Sequence, residues 1–246
     1  MRKEVIYGPK ILLLIWYLLV ISKWINPLFL PSPLKVLVAL GTIFGSVQGW
    51  IDIVITAVRV IAGFILAALF GIPIGLLMGR YNKINKAFEF VVEFFRSLPA
   101  IAILPLLMFF FGIGSPTMVI TAAFTCGLVV VINTIYGVIN SRKTRQIVAE
   151  LMEANRWEIF TSVIFLDAIP HIFAGLRIGL SFAVIVIVAS EMFIGNQGIG
   201  QRIVESQMTY HVPELYAWIS LAGLLGFGLN KGFIYLERRY VHWGGK

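Results

Sequence analysis

The chain has 246 residues, 59% of them hydrophobic and 13% charged, about half the ~25% charged content of an ordinary water-soluble domain. That composition cannot build a soluble surface, so it points to an all-α integral membrane protein and argues against a globular enzyme. The net charge of +8 reads as topology marking, not nucleic-acid binding, because basic residues collect on the cytoplasmic side of membrane chains.

Spanning helices need roughly 20 mostly apolar residues to cross a hydrocarbon core of about 30 Å, and six segments meet that need. The first runs from about Lys10 to Ile25 and stops at Asn26-Pro27; it follows a basic N-terminus without a small-residue cleavage site, so it reads as a retained helix. A linker, Leu28 to Trp50, carries Pro31-Ser32-Pro33 and an apolar stretch, Val36 to Phe44, that suits a brief interfacial helix. The second span is Ile53 to Gly79, with Gly63, Gly71 and Gly75 forming a small-residue stripe that permits close packing and Pro73 expected to kink it. No charge occurs from Ser97 to Ser141, and Gly112 to Pro116 divides that stretch into a third span, Val91 to Phe111 with Pro99 and Pro105, and a fourth, Thr117 to Ile139. Its Cys126, the one cysteine, reads as a small buried hydrophobe and excludes an intrachain disulfide. The fifth span is Ile169 to Ile194 and the sixth Leu215 to Leu236. Residues 1–50 thus form an N-terminal helix and outer linker, and 51–246 the transmembrane core.

With the N-terminus in the cytoplasm, Arg2, Lys3, Lys10, Arg80, Lys83, Lys86, Arg96, Arg142, Lys143, Arg145, Arg156, Lys231, Arg238, Arg239 and Lys246 lie inside or near the inner interface. Lys23, Lys35 and Arg202 lie outside. The positive-inside rule then places both termini in the cytoplasm. Between spans four and five, in the loop 142–167, apolar residues recur at Ile147, Val148, Leu151 and Met152 and again at Ile159, Phe160, Val163 and Ile164. This pattern fits two short amphipathic helices separated near Ala154-Asn155-Arg156. Such helices lie on the membrane surface or fill a groove on a partner protein, and periodicity does not choose between them.

Several ordered stretches resemble the binding-protein-dependent ABC importer permeases, in particular the nitrate, sulfonate and taurine branch: Arg59 to Phe64, Gly71-Ile72-Pro73-Ile74-Gly75, Arg96-Ser97-Leu98-Pro99, Leu151 to Trp157, Gly175 to Gly179 and Ala189 to Phe193. The resemblance extends from about Leu13 to Tyr235. It implies a permease pairing with a second copy, taking a small solute, a sulfonate, nitrate-like anion or vitamin precursor, from an extracytoplasmic solute-binding protein in a prokaryotic inner or plasma membrane. It also implies that Ile147, Val148, Ala149, Leu151, Met152, Glu153, Ala154, Arg156 and Trp157 form a coupling surface for cytoplasmic ATP-binding subunits, which carry the ATP and Mg. The family's glutamate-alanine-alanine signature falls at Ile147, Val148 and Ala149, its following glycine at Glu153, and a proline at Leu166.

No Gly-x-x-x-x-Gly-Lys-Ser/Thr loop occurs, so ATP-derived energy has to come from another polypeptide. Gly195 to Gly200 lacks the lysine and reads as an outer turn. His171, His211 and His242 are scattered, without partners at metal-ligand spacing. Ionisable groups within spans carry a cost of roughly 2.5 to 3.5 kcal/mol near the bilayer centre. Glu191 is the foremost translocation candidate, as a pathway group, a gate or a carboxylate reaching interface water. Arg59 is expected to pair or snorkel at the outer entrance, and Arg177 to anchor the inner half or face the bundle interior. An ion-gradient-driven transporter or channel, with these groups as relays, is the alternative function.

Overall fold

A computed structural model of the chain describes residues 7–22, 24–26 and 28–240. Expectations for Arg2, Lys3, Lys23, Pro27, His242 and Lys246 fall outside them. Every regular element among the described residues is a helix: α1 (Tyr7–Ile21), α2 (Pro33–Gly45), α3 (Val47–Arg80), α4 (Asn82–Ser97), α5 (Ala100–Phe111), α6 (Ser115–Ile139), α7 (Lys143–Leu151), α8 (Arg156–Ile159), α9 (Phe165–Ile194), α10 (Ile199–Met208) and α11 (Val212–Tyr240). α3, α6 and α11 are each long and apolar enough to cross a membrane, as is the continuous run Arg156–Ile194; the pair α4 and α5 makes at most one more. α1, at 15 residues, is short of a span by length.

Two of the expected spans change shape. The third is not a straight helix from Val91 to Phe111 but a pair, α4 and α5, bent by 101°. The break falls at Leu98-Pro99, where proline supplies no amide and pushes the residue before it out of helical geometry. The fifth does not begin at Ile169. It starts at Arg156 and runs 39 residues to Ile194, through a π-helical stretch, Phe160–Ile164, so the second of the two expected short helices is its first turns. The linker helix is present as α2. Ser32 caps it, accepting from the Lys35 amide, and Pro33 opens it, a position where a missing amide costs nothing.

Lipid gives helices no hydrophobic reason to associate, so close contact depends on small residues and van der Waals fit. The stripe on α3 meets this need. Gly63 faces Ala122 and Val119, Gly71 faces Val130, Gly75 faces Thr134 and Gly79 faces Val138, so α3 and α6 run parallel with their backbones close together. α9 packs antiparallel on another side of α6, where Gly175 meets Asn133, and Gly137 meets Ala168 and His171. Cys126 is fully buried at this seam, donating from Sγ to the Gly179 carbonyl at 2.8 Å. α3 continues unbroken through Pro73.

The parallel run of α3 and α6 requires the chain to return across the bundle between them, and α4 with α5 is that return. The bundle has two ends. At one lie the starts of α3 and α6, the end of α9, and a cap in which Val36, Ala39 and Ile43 of α2 pack with Ile199, Ile203, Trp218 and Leu221. α1 joins this cap: Trp16 donates to the Pro31 carbonyl at 3.1 Å and stacks on Tyr216. At the other end lie the loop containing α7 and the close of α11.

A β-carbon on Gly75 would stand 2.5 Å from the Thr134 β-carbon and 2.8 Å from the Val131 carbonyl oxygen. Gly75→Val should therefore lower stability by about 1–3 kcal/mol or more through overpacking, read as a fall in the thermal unfolding midpoint in detergent. Gly41→Ala, in a helix with nothing within 4 Å of the new carbon, should leave the midpoint unchanged or raise it.

Candidate functional site

Functional candidates occupy both ends of the bundle. At the loop end, α7 presents Ile147, Val148, Leu151 and Met152 at 50–79% exposure, and Trp157 at 67%, an apolar patch that the described residues leave uncovered. Exposed apolar clusters of this kind mark surfaces that meet a partner or membrane. Ala149 and Ala154 are half-buried behind it, and Glu153 and Arg156 are exposed.

Local hydrogen bonding fixes the shape of this element. The Glu153 amide donates to the Glu150 carbonyl at 3.0 Å and the Ala154 amide to the Ala149 carbonyl at 3.1 Å, the paired bonds of a Schellman helix stop. Glu153 sits in its left-handed position, φ 60°, the position where glycine is normally required. Asn155 then starts the next helix: its side chain accepts from the Trp157 and Glu158 amides, while the Glu158 carboxylate accepts from the Asn155 amide at 2.7 Å. Helix stop and capping box leave no slack between α7 and the long helix.

Two groups that sequence reading overlooked tie the element to the spans. Asp167 accepts from Ser141 Oγ at 2.9 Å, from the Arg142 amide at 3.2 Å and from Arg145 Nη1. Arg80, at the end of α3, lies over the Phe160 ring, 4.4 Å from its centroid, and donates to the Arg156 carbonyl at 3.3 Å. A lone carboxylate entering an apolar run, as Asp167 does, is the signal that was available.

At the capped end Glu191 and Arg59 come together. Arg59 Nη1 is 2.8 Å from Glu191 Oε1, with the carboxylate fully buried. The same guanidinium donates to the Gln197 carbonyl at 2.8 Å and to Ser115 Oγ at 3.0 Å. Thr56 Oγ1 lies 2.9 and 3.0 Å from the two Glu191 oxygens. A second pair stands alongside: Arg202 Nε donates to the fully buried Asp52 at 2.7 Å. Burial alone lowers the Arg202 pKa, but hydrogen bonds and charge from Asp52 and then Glu205 outweigh it and raise the group above its ordinary value.

Asp52, Thr56 and Arg59 stand at i, i+4 and i+7, one face of α3; that polar ladder in an apolar helix was legible but unread. Its partners, Glu191 and Arg202, are more than 130 residues away in sequence, and no local pattern joins them. The glycine turn supplies the remaining contacts. Amides of Gly198, Ile199 and Gly200 donate to Asp52, Thr56 and Glu191 at 2.8, 2.9 and 3.0 Å. The anions held at the start of α10 are therefore the chain's own carboxylates, where helix amides and dipole favour negative charge. Gly198 has φ 112°, and a β-carbon there would lie 2.5 Å from the Glu191 carboxylate. Arg177 joins neither group; it lies 3.7 Å from Glu237 on α11.

Residues 71–233 match the family described as the binding-protein-dependent transport system inner membrane component. The chain is 30% identical to the taurine transport system permease protein of Escherichia coli strain K12, over 96% of this chain and 88% of that one. It is also 30% identical to the nitrate import permease protein of Synechocystis sp., over 96% and 91%. A putative aliphatic sulfonates transport permease protein of Bacillus subtilis shares 26% over 96% and 85%. Among solved structures, a chain of the inward-facing MetNI methionine ABC transporter superimposes with a TM-score of 0.67 at 17% identity, covering 75% of this chain and 92% of that one; it shares the fold.

Removing one member of a buried ion pair leaves a charge with no partner, at a cost of about 3–5 kcal/mol. Arg59→Met should thus depress the unfolding midpoint strongly, and Arg59→Met with Glu191→Met should recover much of the loss. Glu153→Gly relieves a left-handed non-glycine residue, worth roughly 1 kcal/mol, and should raise the midpoint.

Proposed function

The chain belongs to the binding-protein-dependent transport system inner membrane components, and we propose that it carries a small anionic solute, with α7 as the element that couples it to ATP hydrolysis. It is the membrane-spanning permease subunit of an ABC importer, and the ATPase of such a system is a separate subunit. ATP and Mg act there, on cytoplasmic ATP-binding subunits that the exposed α7 patch meets.

The observation carrying the coupling role is the combination of an uncovered apolar surface with a rigid mounting. Ile147, Val148, Leu151 and Met152 stay exposed, while Asp167 fastens α7 to α9 and Arg80 fastens the start of the long helix to α3. Movement of the partner is then passed to spans instead of being absorbed by a loop, the logic of a rigid element shifting bistable packing. Two copies of the chain pair around the passage. Both termini and α7 face the cytoplasm, as the positive-inside rule requires, and the capped end receives solute from the solute-binding protein.

The solute class follows from relatives whose names specify taurine, nitrate and aliphatic sulfonates. A sulfonate or nitrate-like anion is the reading they support. The ion-gradient alternative loses two of its three relay groups, because Glu191 and Arg59 are committed to each other and to the α9–α10 turn.

Leu151→Asp or Met152→Asp places a charge in the proposed contact. Burying an unpaired charge at an interface costs about 2–5 kcal/mol, so co-purification of the ATP-binding subunits should weaken at least about 30-fold, and uptake should fall with it. An unchanged unfolding midpoint would show that the permease itself is intact. Retained association and uptake would remove α7 from the coupling role.

A further inference from the structure

The charged face of α4 is an ionic surface that neither the capped end nor the coupling element uses. On α4, Ile84, Phe88, Val91 and Phe95 repeat at helical spacing along one side, while Asn85, Glu89, Glu93 and Arg96 take the other. Read as sequence alone, Arg96 belongs near the inner interface. The fold puts it deeper.

Phe95 packs edge-on against Phe124 with ring centroids 5.4 Å apart. Phe124 stands nine residues into α6, about 14 Å along a helix of about 37 Å by the helical rise, close to its midpoint. Ala100, just past the bend, packs on the cluster containing Val60, Ala67, Met118, Ala122 and Cys126, at the middle of α3 and α6. Both contacts place the α4–α5 junction near the centre of the membrane.

Glu93 and Arg96 pair at 3.0 Å there, each side chain 54% exposed. Hydrocarbon does not accept an ion pair in this state, and interface water is about 15 Å away from the middle of a ~30 Å core, too far for snorkelling. The backbone break at Leu98-Pro99, with Pro99 exposed, is equally out of place against lipid. Non-helical backbone at membrane depth is found where protein covers it or where it lines a water-filled cavity.

We propose that the face of α4 bearing Glu89, Glu93, Arg96 and Ser97 lines the aqueous passage of the importer, and that Arg96 is the cation an anionic solute meets at mid-membrane. The inference rests on the reading of the chain as a paired importer permease. It adds the surface along which the solute moves and the group that favours its charge.

Cys126 is fully buried, so single cysteines can be placed in the otherwise intact chain, assembled with its ATP-binding subunits in proteoliposomes. Ser97→Cys, which keeps the ion pair, and Glu89→Cys would be compared with Phe88→Cys and Val91→Cys on the apolar side. The probes are sulfonatoethyl methanethiosulfonate, an anion, and its trimethylammonium counterpart. Water-dependent thiol reaction should be at least about tenfold faster on the polar face, because ionised thiolate forms only where water reaches it. In the Ser97→Cys chain, Arg96→Gln should shift the anionic-to-cationic rate ratio at least about threefold toward the cation, as expected for removing a unit charge several ångströms away. Equal, slow labelling on both faces overturns the passage assignment, and an unshifted ratio overturns the role of Arg96. Co-purification of the ATP-binding subunits with the unsubstituted chain reports separately on the permease reading: it stands or fails whatever the labelling shows.

Discussion

A charged side chain is tolerated within a bilayer only where an opposite charge, a set of hydrogen-bond donors or water meets it, since even the lenient insertion scale charges roughly 2.5 to 3.5 kcal/mol near the centre. That constraint sorts the ionic groups of this chain. Glu191 and Asp52, buried where α3 and α9 meet the cap, each have an arginine and a backbone amide. Asp167 gathers three donors where α9 leaves the loop. Arg177 and Glu237 face each other between α9 and α11. Glu93 and Arg96 combine mid-membrane depth with exposure, each side chain 54% exposed, and for that reason they imply water on their side of the molecule.

Small residues impose the complementary constraint. The contact of α3 with α6 has to be close for α9 to reach across and set Glu191 against Arg59, and glycines at 63, 71, 75 and 79 allow that approach. The capped end then locks: Arg59 and Thr56 hold Glu191, and Asp52 and Arg202 hold the start of α10. The same pairs that neutralise buried charge also fasten the turn between α9 and α10. Stability and the shape of the capped end are thus set by one network.

Much of this was legible in the sequence because it is written locally. The glycine stripe, the glycine break after Phe111, the linker helix and the apolar runs that became α3, α6 and α11 all follow from residues within a few turns of one another, whereas the bend at Leu98-Pro99 was not read from its proline. What escaped depends on distance or on register. The Asp52–Arg202 pair joins residues 150 positions apart. The fused fifth span escaped because the π-helical stretch shifts the apolar face at Phe160–Ile164, so Ile159 to Ile164 mimics a separate amphipathic helix. Leu166 matters here, since it keeps the backbone amide that a proline at this position would lack, and the helix continues through it.

The consequence of that continuity is mechanical. A single helix of 39 residues, about 58 Å by the helical rise, starts beside the proposed coupling surface and ends at the Glu191 lock. α7 is joined to its first turn by a helix stop and a capping box that share adjacent residues, and Asp167 and Arg80 brace the joint from two spans. A displacement of α7 therefore cannot be taken up by a hinge between α7 and the long helix. The one irregular place left to yield is the π-helical stretch, because widened turns have poorer packing than the α-helix around them and often mark functional sites. Its position, beginning at the Arg80 contact on Phe160 and ending before Asp167, puts the compliant segment inside the braced joint. Rotation there would turn the coupling end against the membrane-embedded part without breaking either the close α3–α6–α9 packing or the buried ion pairs at the far end.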